Sequence, residues 1–240
     1  MIAIHAVLGV LAAAMAIFPL AAEPRSGEGD RMRTAMLNGD VGSYLEGRRG
    51  ELGGIPAERR LVLDEMSRYI ASRSTAGQPV RLVFVCTHNS RRSHMAQLWA
   101  AAAARAYGIE LSTYSGGTES TAFNPRAVDA MRRAGFRIDK TTEDANPVYH
   151  ARMGDDLPPM TCFSKAYDHA PNPKTEFAAV MVCGEADRAC PLVPGASGRF
   201  TVPFVDPKVS DGTPEEAATY DERCAQVARE MVYVMSRVGV

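Results

Sequence analysis

The chain has 240 residues, 46% of them hydrophobic, enough for one sizeable α/β domain with an appendage. Its 27 basic and 28 acidic residues nearly cancel, and no basic face or charge run points to nucleic acid. Five cysteines, an odd number, argue against a pure disulfide framework and favour reactive or buried thiols.

Residues 1–22 are apolar, with Pro19 and the small pair Ala21-Ala22 ahead of polar Glu23-Pro24-Arg25. This is the pattern of a secretory signal cleaved near Ala22, although only the amino terminus and His5 supply positive charge to its start. A cleaved signal would place the protein outside the cytoplasm. An uncleaved segment would anchor it to a membrane, and a later start codon would leave it cytoplasmic. Residues 23–79 read as an N-terminal extension. Within it, 26–56 is polar and Gly-rich with little structural signal. Residues 57–73 form one amphipathic helix with Val62, Met66, Tyr69 and Ile70 on one face, and 74–79 is a linker.

Residues 80–240 alternate between strand and helix. Leu82-Val83-Phe84-Val85 is a short apolar run, too short for a helix, and predicts a buried strand over 81–86. Met95, Leu98, Trp99 and Ala102 then repeat at helical spacing, so a helix begins near Ser90 and runs to about Tyr107. A second strand spans 109–114 and leads into Ser115-Gly116-Gly117. A helix follows from Pro125 to Ala134, with Pro125 suited to its first turn and Gly135 to its end. Residues 146–176 hold five prolines and few periodic apolar residues, and read as a long irregular loop, a candidate lid or substrate-facing wall. Strands over 177–183 and 199–205 and a last helix over 213–238 complete the pattern. On that helix Tyr220, Cys224, Val227, Met231, Val234 and Val238 share a face. The fold class is α/β: a parallel four-stranded sheet with helices on both faces, plus the N-terminal helical extension. The active site belongs at the carboxyl ends of the strands.

Cys86 stands at such an end. Thr87, His88, Asn89, Ser90 and Arg91 then form a tight loop, followed by Arg92 and Ser93 at a helix N-terminus. The first N–H groups of a helix lack intrahelical partners and carry partial positive charge. A loop wrapped over that terminus makes a site for a tetrahedral oxyanion. A cysteine there has its thiolate stabilised. Arg92 offers a planar fork for two anion oxygens, and Ser93 a hydroxyl for the sulfur. The constellation is a nucleophile aimed at a bound oxyanion.

The run Cys86-Thr-His-Asn-Ser-Arg-Arg-Ser93 resembles the phosphate loop of the low-molecular-weight protein tyrosine phosphatases and the related thioredoxin-coupled arsenate reductases. Tyr114-Ser-Gly-Gly117, Asn124-Pro-Arg-Ala127 and Phe204-Val-Asp-Pro207 stand in the order of that superfamily, and the resemblance covers roughly residues 80–238. It departs at His88, where the family usually has Gly, and at Arg91, where many members have a second Cys; Arg91 adds charge near the anion. The resemblance implies that Asp206 acts as a general acid. Lys208 follows Asp206-Pro207 where many of the phosphatases have an aromatic wall for the tyrosine.

Cys183 and Cys190 do not match common zinc spacing. Their separation resembles the cysteine pair of the arsenate reductases, which implies a Cys86–Cys183–Cys190 relay discharged by a thioredoxin-like reductant. Seven residues of helix span about 10.5 Å, whereas bridged cysteines need Cα atoms within roughly 7 Å. A helical 184–189 segment must therefore unwind on oxidation. Cys224 reads as a small buried residue, and Cys162 takes no assignment. His94 reads as solvated or as support for the loop. Gln97 stands where some arsenate reductases place a glutamate that helps bind potassium, and neither a metal nor a bound cofactor is expected. Three functions follow: arsenate reduction through the relay, phosphomonoester hydrolysis by Cys86 with Asp206 as acid, and oxyanion binding without turnover. Thioredoxin recycling suits the cytosol, so an exported protein would need another reductant or one of the other two roles.

Overall fold

The computed structural model describes residues 32–239; the signal-like segment 1–22 lies outside them. In chain order the elements are α1 (Gly39–Arg49), α2 (Ala57–Thr75), β1 (Arg81–Cys86), α3 (Arg92–Tyr107), β2 (Ser112–Gly117) and α4 (Pro125–Arg133). There follow β3 (Arg137–Lys140), β4 (Tyr149–Arg152), β5 (Met160–Cys162), β6 (Phe177–Met181), α5 (Gly184–Ala189), β7 (Ala196–Thr201) and α6 (Glu216–Ser236).

The main sheet has four strands, all parallel, in the order β2-β1-β6-β7. Successive residues of a strand face opposite sides. Leu82 to Cys86 and Phe177 to Met181 are buried without a break, so helices cover both faces of the two inner strands. Unbroken apolar runs made these two strands visible in the sequence. The outer two sit differently from the expectation. β2 begins at Ser112 and carries on through Gly116 and Gly117, which pair with Val85 and Cys86 instead of forming a turn. β7 begins at Ala196 and ends at Thr201, two residues before Pro203, which has no N–H to give a ladder.

Two further departures are larger. The segment expected as an irregular loop contains β4 and β5, which join β3 in a three-stranded antiparallel sheet. These strands are three or four residues long with half their side chains out, below what periodicity can detect. The extension also holds two helices where one was expected. Six glycines between 39 and 54 hid α1. Its start is set by Asn38, whose side chain accepts from the Val41 N–H (2.9 Å) and donates to the Gly135 carbonyl (3.1 Å). Gly135 has φ +104°, and a Cβ there would meet the Asp40 and Val41 backbone at 2.8 Å, so only glycine permits this approach. On α2 the buried face is Leu63, Met66, Ser67 and Ile70; Met66 and Ile70 lie where expected, while Val62 and Tyr69 are only partly buried.

From residue 32 onward the extension is part of the core. Tyr44 stacks on Trp99 of α3 at 4.9 Å, and Val41, Leu45 and Ile55 are fully enclosed. The buried carboxylate of Glu230 on α6 accepts from Arg59 of α2 at 2.7 and 3.0 Å. Truncating Leu45 to alanine should therefore lower stability to urea by about 3 kcal/mol, the usual cost of a buried Leu→Ala cavity. A loss under about 0.5 kcal/mol would mark α1 as an appendage outside the cooperative unit.

Candidate active site

The loop between β1 and α3 is organised by where its carbonyls go. Cys86 O accepts from Thr118 N (3.1 Å), and Thr87 O from Glu119 N (2.9 Å) and the Thr118 hydroxyl (3.1 Å). His88 O accepts from the Ser164 hydroxyl (2.9 Å) and the Thr121 hydroxyl (3.2 Å), and Ser90 O from Asn124 N (2.9 Å). With these carbonyls turned outward, the N–H groups of Asn89, Ser90, Arg91 and Arg92 donate to no acceptor among the described residues. They are left for an anion at the α3 N-terminus, which has no side-chain cap. Gly117 makes the packing possible: a Cβ there would lie 2.6 Å from Thr87 O and 2.7 Å from Asn89 N.

A chain of hydrogen bonds fixes the polarity at the sulfur. The Lys165 N–H donates to Asn89 Oδ1 (2.9 Å), which turns the Asn89 amide nitrogen toward Ser93, and that nitrogen donates to Ser93 Oγ (2.8 Å). The Ser93 hydroxyl, 3.0 Å from Cys86 Sγ, is thereby oriented to donate to the sulfur. Asn89 holds φ +45°, a left-handed conformation that Asn tolerates better than most residues. Cys86 itself is only 3% exposed.

The expected site residues divide into those the fold gathers and those it turns aside. Arg92 is buried at the loop; its Nη2 meets Asp206 Oδ2 at 2.8 Å and its Nη1 meets the Phe204 carbonyl at 3.1 Å. Asp206 thus reaches the site, with its other oxygen accepting from Lys208 N at 3.1 Å. Thr87 Oγ1 lies 3.4 Å from Cys183 Sγ, and that sulfur also accepts from Ala186 N (3.3 Å) as the cap of α5. Cys190 closes α5 at its other end and is partly exposed. His88 sits at the mouth, its Nε2 2.9 Å from Glu119. Arg91, expected to add charge near the anion, has its Nε 4.0 Å from Asp206 Oδ1. Its Nε donates to the Tyr220 hydroxyl (2.8 Å) and its Nη2 lies 3.5 Å from Asp211. Tyr220, whose phenol burial pushes up to about 12, donates in turn to Asp211 at 2.8 Å. This network draws the guanidinium onto α6 and the turn before it.

His94, expected as a solvated or supporting residue, is fully buried behind the loop. It stacks on Phe123 at 4.1 Å with Nδ1 3.2 Å from the Ser115 hydroxyl. Burial, and then the charge of Lys165, holds its imidazole well below the ordinary value and therefore neutral. Burial pushes the Cys162 and Cys224 thiols up to about 12, and Trp99 Nε1 donates to Cys224 at 3.2 Å; both are inert packing residues. The residues that sequence reasoning missed come from the segment expected as a loop: Ser164 and Lys165 hold the anion loop, and Tyr167 N donates to Gly117 O at 2.9 Å. Without periodicity, nothing in their sequence marks them.

Residues 81–154 match the family model described as low molecular weight phosphotyrosine protein phosphatase. An arsenate reductase of Bacillus licheniformis is 30% identical over 161 residues, covering 66% of this chain and 96% of that protein. The chain belongs to the low-molecular-weight phosphotyrosine protein phosphatase family. It is an enzyme. Another relative, an arsenate reductase of Bacillus subtilis, is 32% identical over 142 residues, with 59% of this chain and 84% of that protein covered. Among solved structures, a low-molecular-weight phosphotyrosine phosphatase of Vibrio cholerae O395 overlaps with a TM-score of 0.43 and 13% identity, over 64% of this chain and 92% of that one.

Removing the Ser93 hydroxyl tests the polarity of the chain that ends at Cys86. A hydrogen bond to a charged group contributes about 1.5–3 kcal/mol, so Ser93→Ala should slow alkylation of Cys86 at neutral pH by roughly tenfold or more. An unchanged rate, followed by peptide mapping of the labelled cysteine, would show that the hydroxyl does not donate to the sulfur.

Proposed function

We propose that this enzyme reduces arsenate to arsenite with electrons from its own cysteines, which an external thioredoxin-like dithiol then restores. The observation that carries the reading is the 3.4 Å contact between Thr87 of the anion loop and Cys183 Sγ, with Cys190 at the far end of the same short helix. A phosphatase has no need of a second thiol at that place. The two relatives named arsenate reductase support the same reading.

The chemistry then follows from the residues. Arsenate binds to the loop N–H groups and to Arg92, displacing Asp206 from the guanidinium. Cys86 attacks arsenic, an S–As bond forms, and water leaves. Cys183 next attacks the Cys86 sulfur. An S–S bond forms, the S–As bond breaks with its electron pair going to arsenic, and arsenite departs. Cys190 attacks Cys183, which frees Cys86 and leaves a Cys183–Cys190 disulfide for the external dithiol. Each step needs a thiolate in line with a sulfur, and α5 must lose its helical form before its two flanking cysteines can meet.

Asp206 supports a second reading, hydrolysis of phosphomonoesters through a phosphocysteine on Cys86. Its carboxylate reaches the loop mouth, where a proton could pass to a leaving oxygen. Its pairing to Arg92 and the Lys208 that follows it, in place of an aromatic wall, weigh against an aryl ester as the main substrate.

The two readings part in one assay. Reduced protein supplied with arsenate, thioredoxin, thioredoxin reductase and NADPH should consume one NADPH per arsenite released. Cys183→Ser and Cys190→Ser should each lose multiple turnover, by at least about a hundredfold, because each removes an obligatory thiol. Normal turnover in Cys183→Ser, or phosphate release from an aryl phosphate with no arsenite formed, would overturn arsenate reduction through this relay.

A further inference from the structure

A six-residue helix between two redox cysteines is a weak element. Isolated helices of this length do not persist in water, and of the residues in α5 only Ala186 is buried. At its two ends Asp187 N donates to Cys183 O at 3.0 Å, Cys190 N to Ala186 O at 2.9 Å, and Ala186 N to the Cys183 sulfur at 3.3 Å. Something outside the helix holds it.

Arg92 Nη2 reaches Glu185 of α5 only at 3.8 Å, and the closer hold is a guanidinium from β7. Arg199 Nη2 donates to the Asp187 carbonyl (3.0 Å), to Asp187 Oδ1 (2.6 Å) and to the Cys190 carbonyl (3.1 Å). Its Nη1 donates to Thr201 Oγ1 at 3.1 Å, and the Thr201 hydroxyl donates to Asp187 Oδ1 at 2.7 Å. The last carbonyls of a helix have no partners of their own, and a cation placed there complements the dipole. The Arg199 and Asp187 side chains are 28% and 26% exposed, so water screens the pair only in part. Arg199 Nε is buried without an acceptor, which is the cost of aiming the fork at α5. Burial alone would raise the Asp187 carboxyl, but the Thr201 and Arg199 hydrogen bonds outweigh it and hold the group ionised below its ordinary value.

We propose that Arg199, Asp187 and Thr201 form a latch that keeps α5 helical in the dithiol state and so sets how readily Cys183 and Cys190 form a disulfide. The inference rests on the relay reading. The two cysteines cannot bond across an intact α5, since seven helical residues span about 10.5 Å. Unwinding α5 breaks the Cys190 carbonyl bond to Arg199 and frees Asp187 from the same fork. The latch therefore stabilises the reduced form only. A disulfide formed against it is more oxidising and more easily cleared by an external dithiol, in the way that stabilising a reduced form makes a strong oxidant. Arg199 and Thr201 are positioning residues; neither touches the substrate.

The test is a redox titration of the full chain in a Cys86→Ser background, where Cys183 and Cys190 are left to pair with each other. Protein is equilibrated in glutathione buffers, in which oxidised glutathione takes up the two electrons and leaves two molecules of reduced glutathione. The disulfide fraction is read by alkylation and mass spectrometry. Arg199→Met and Asp187→Asn should favour the disulfide by about tenfold in the equilibrium constant, a reduction potential about 30 mV more negative for this two-electron couple. Thr201→Val, the mildest change, should shift it in the same direction by less, and Arg199→Lys should recover part of the wild-type value. Amide exchange over 184–190 in the reduced protein should speed up in the same order. Constants within twofold of the parent in all four variants would overturn the latch and leave the relay standing. Absence of a Cys183–Cys190 disulfide in the parent and in every variant, even in the most oxidising buffer, would overturn the relay and the latch together.

Discussion

The direction of the peptide groups between Cys86 and Arg92 is the constraint on which the site depends. An anion can bind there only if the loop carbonyls find partners elsewhere, because a buried carbonyl left without one costs about 1–3 kcal/mol. The partners are Thr118, Glu119, Thr121 and Asn124 after β2, and Ser164 from the segment before β6. Parallel pairing of β2 with β1 brings the first group alongside the loop, with Gly117 opposite Cys86. The three-stranded sheet delivers the second. A local motif of eight residues is thus made competent by chain up to 76 positions away.

That arrangement explains what could be read from the sequence and what could not. Cys86, Arg92 and Ser93 were legible because a buried strand, a tight turn and a helix start are all local. The inner strands were legible because burial on both faces leaves an unbroken apolar run. The bond from Arg91 to Tyr220 could not be read, because Tyr220 lies 129 positions on and nothing in a loop's sequence says which way a long side chain will turn. Helix α1 was missed because Gly39, Gly42 and Gly47 lower its helix propensity and only Gly42 packs closely, against Thr34. The strands at 149–152 and 160–162 were missed because they are too short to show a period. Ser164 and Lys165, which hold the loop, sit just beyond them with no pattern of their own.

The five thiols show how environment sorts one residue type into separate roles. Cys162 and Cys224 are enclosed by apolar side chains, and burial disfavours their thiolates. Cys86 lies over a helix N-terminus with a hydroxyl directed at it. Cys183 touches the anion loop, and Cys190 lies where the helix meets solvent. Of these last three sulfurs only that of Cys190 belongs to a partly exposed residue; Cys86 and Cys183 are buried. The same geometry binds Arg92 to Asp206.

The most direct measurement is a single turnover of arsenate by the reduced Cys190→Ser protein, with no external dithiol, followed by arsenite determination and peptide mapping under acid. The account predicts one arsenite per protein and a trapped disulfide between Cys86 and Cys183. Arsenite release with Cys86 and Cys183 both still free, or a trapped disulfide that excludes either one, would contradict it.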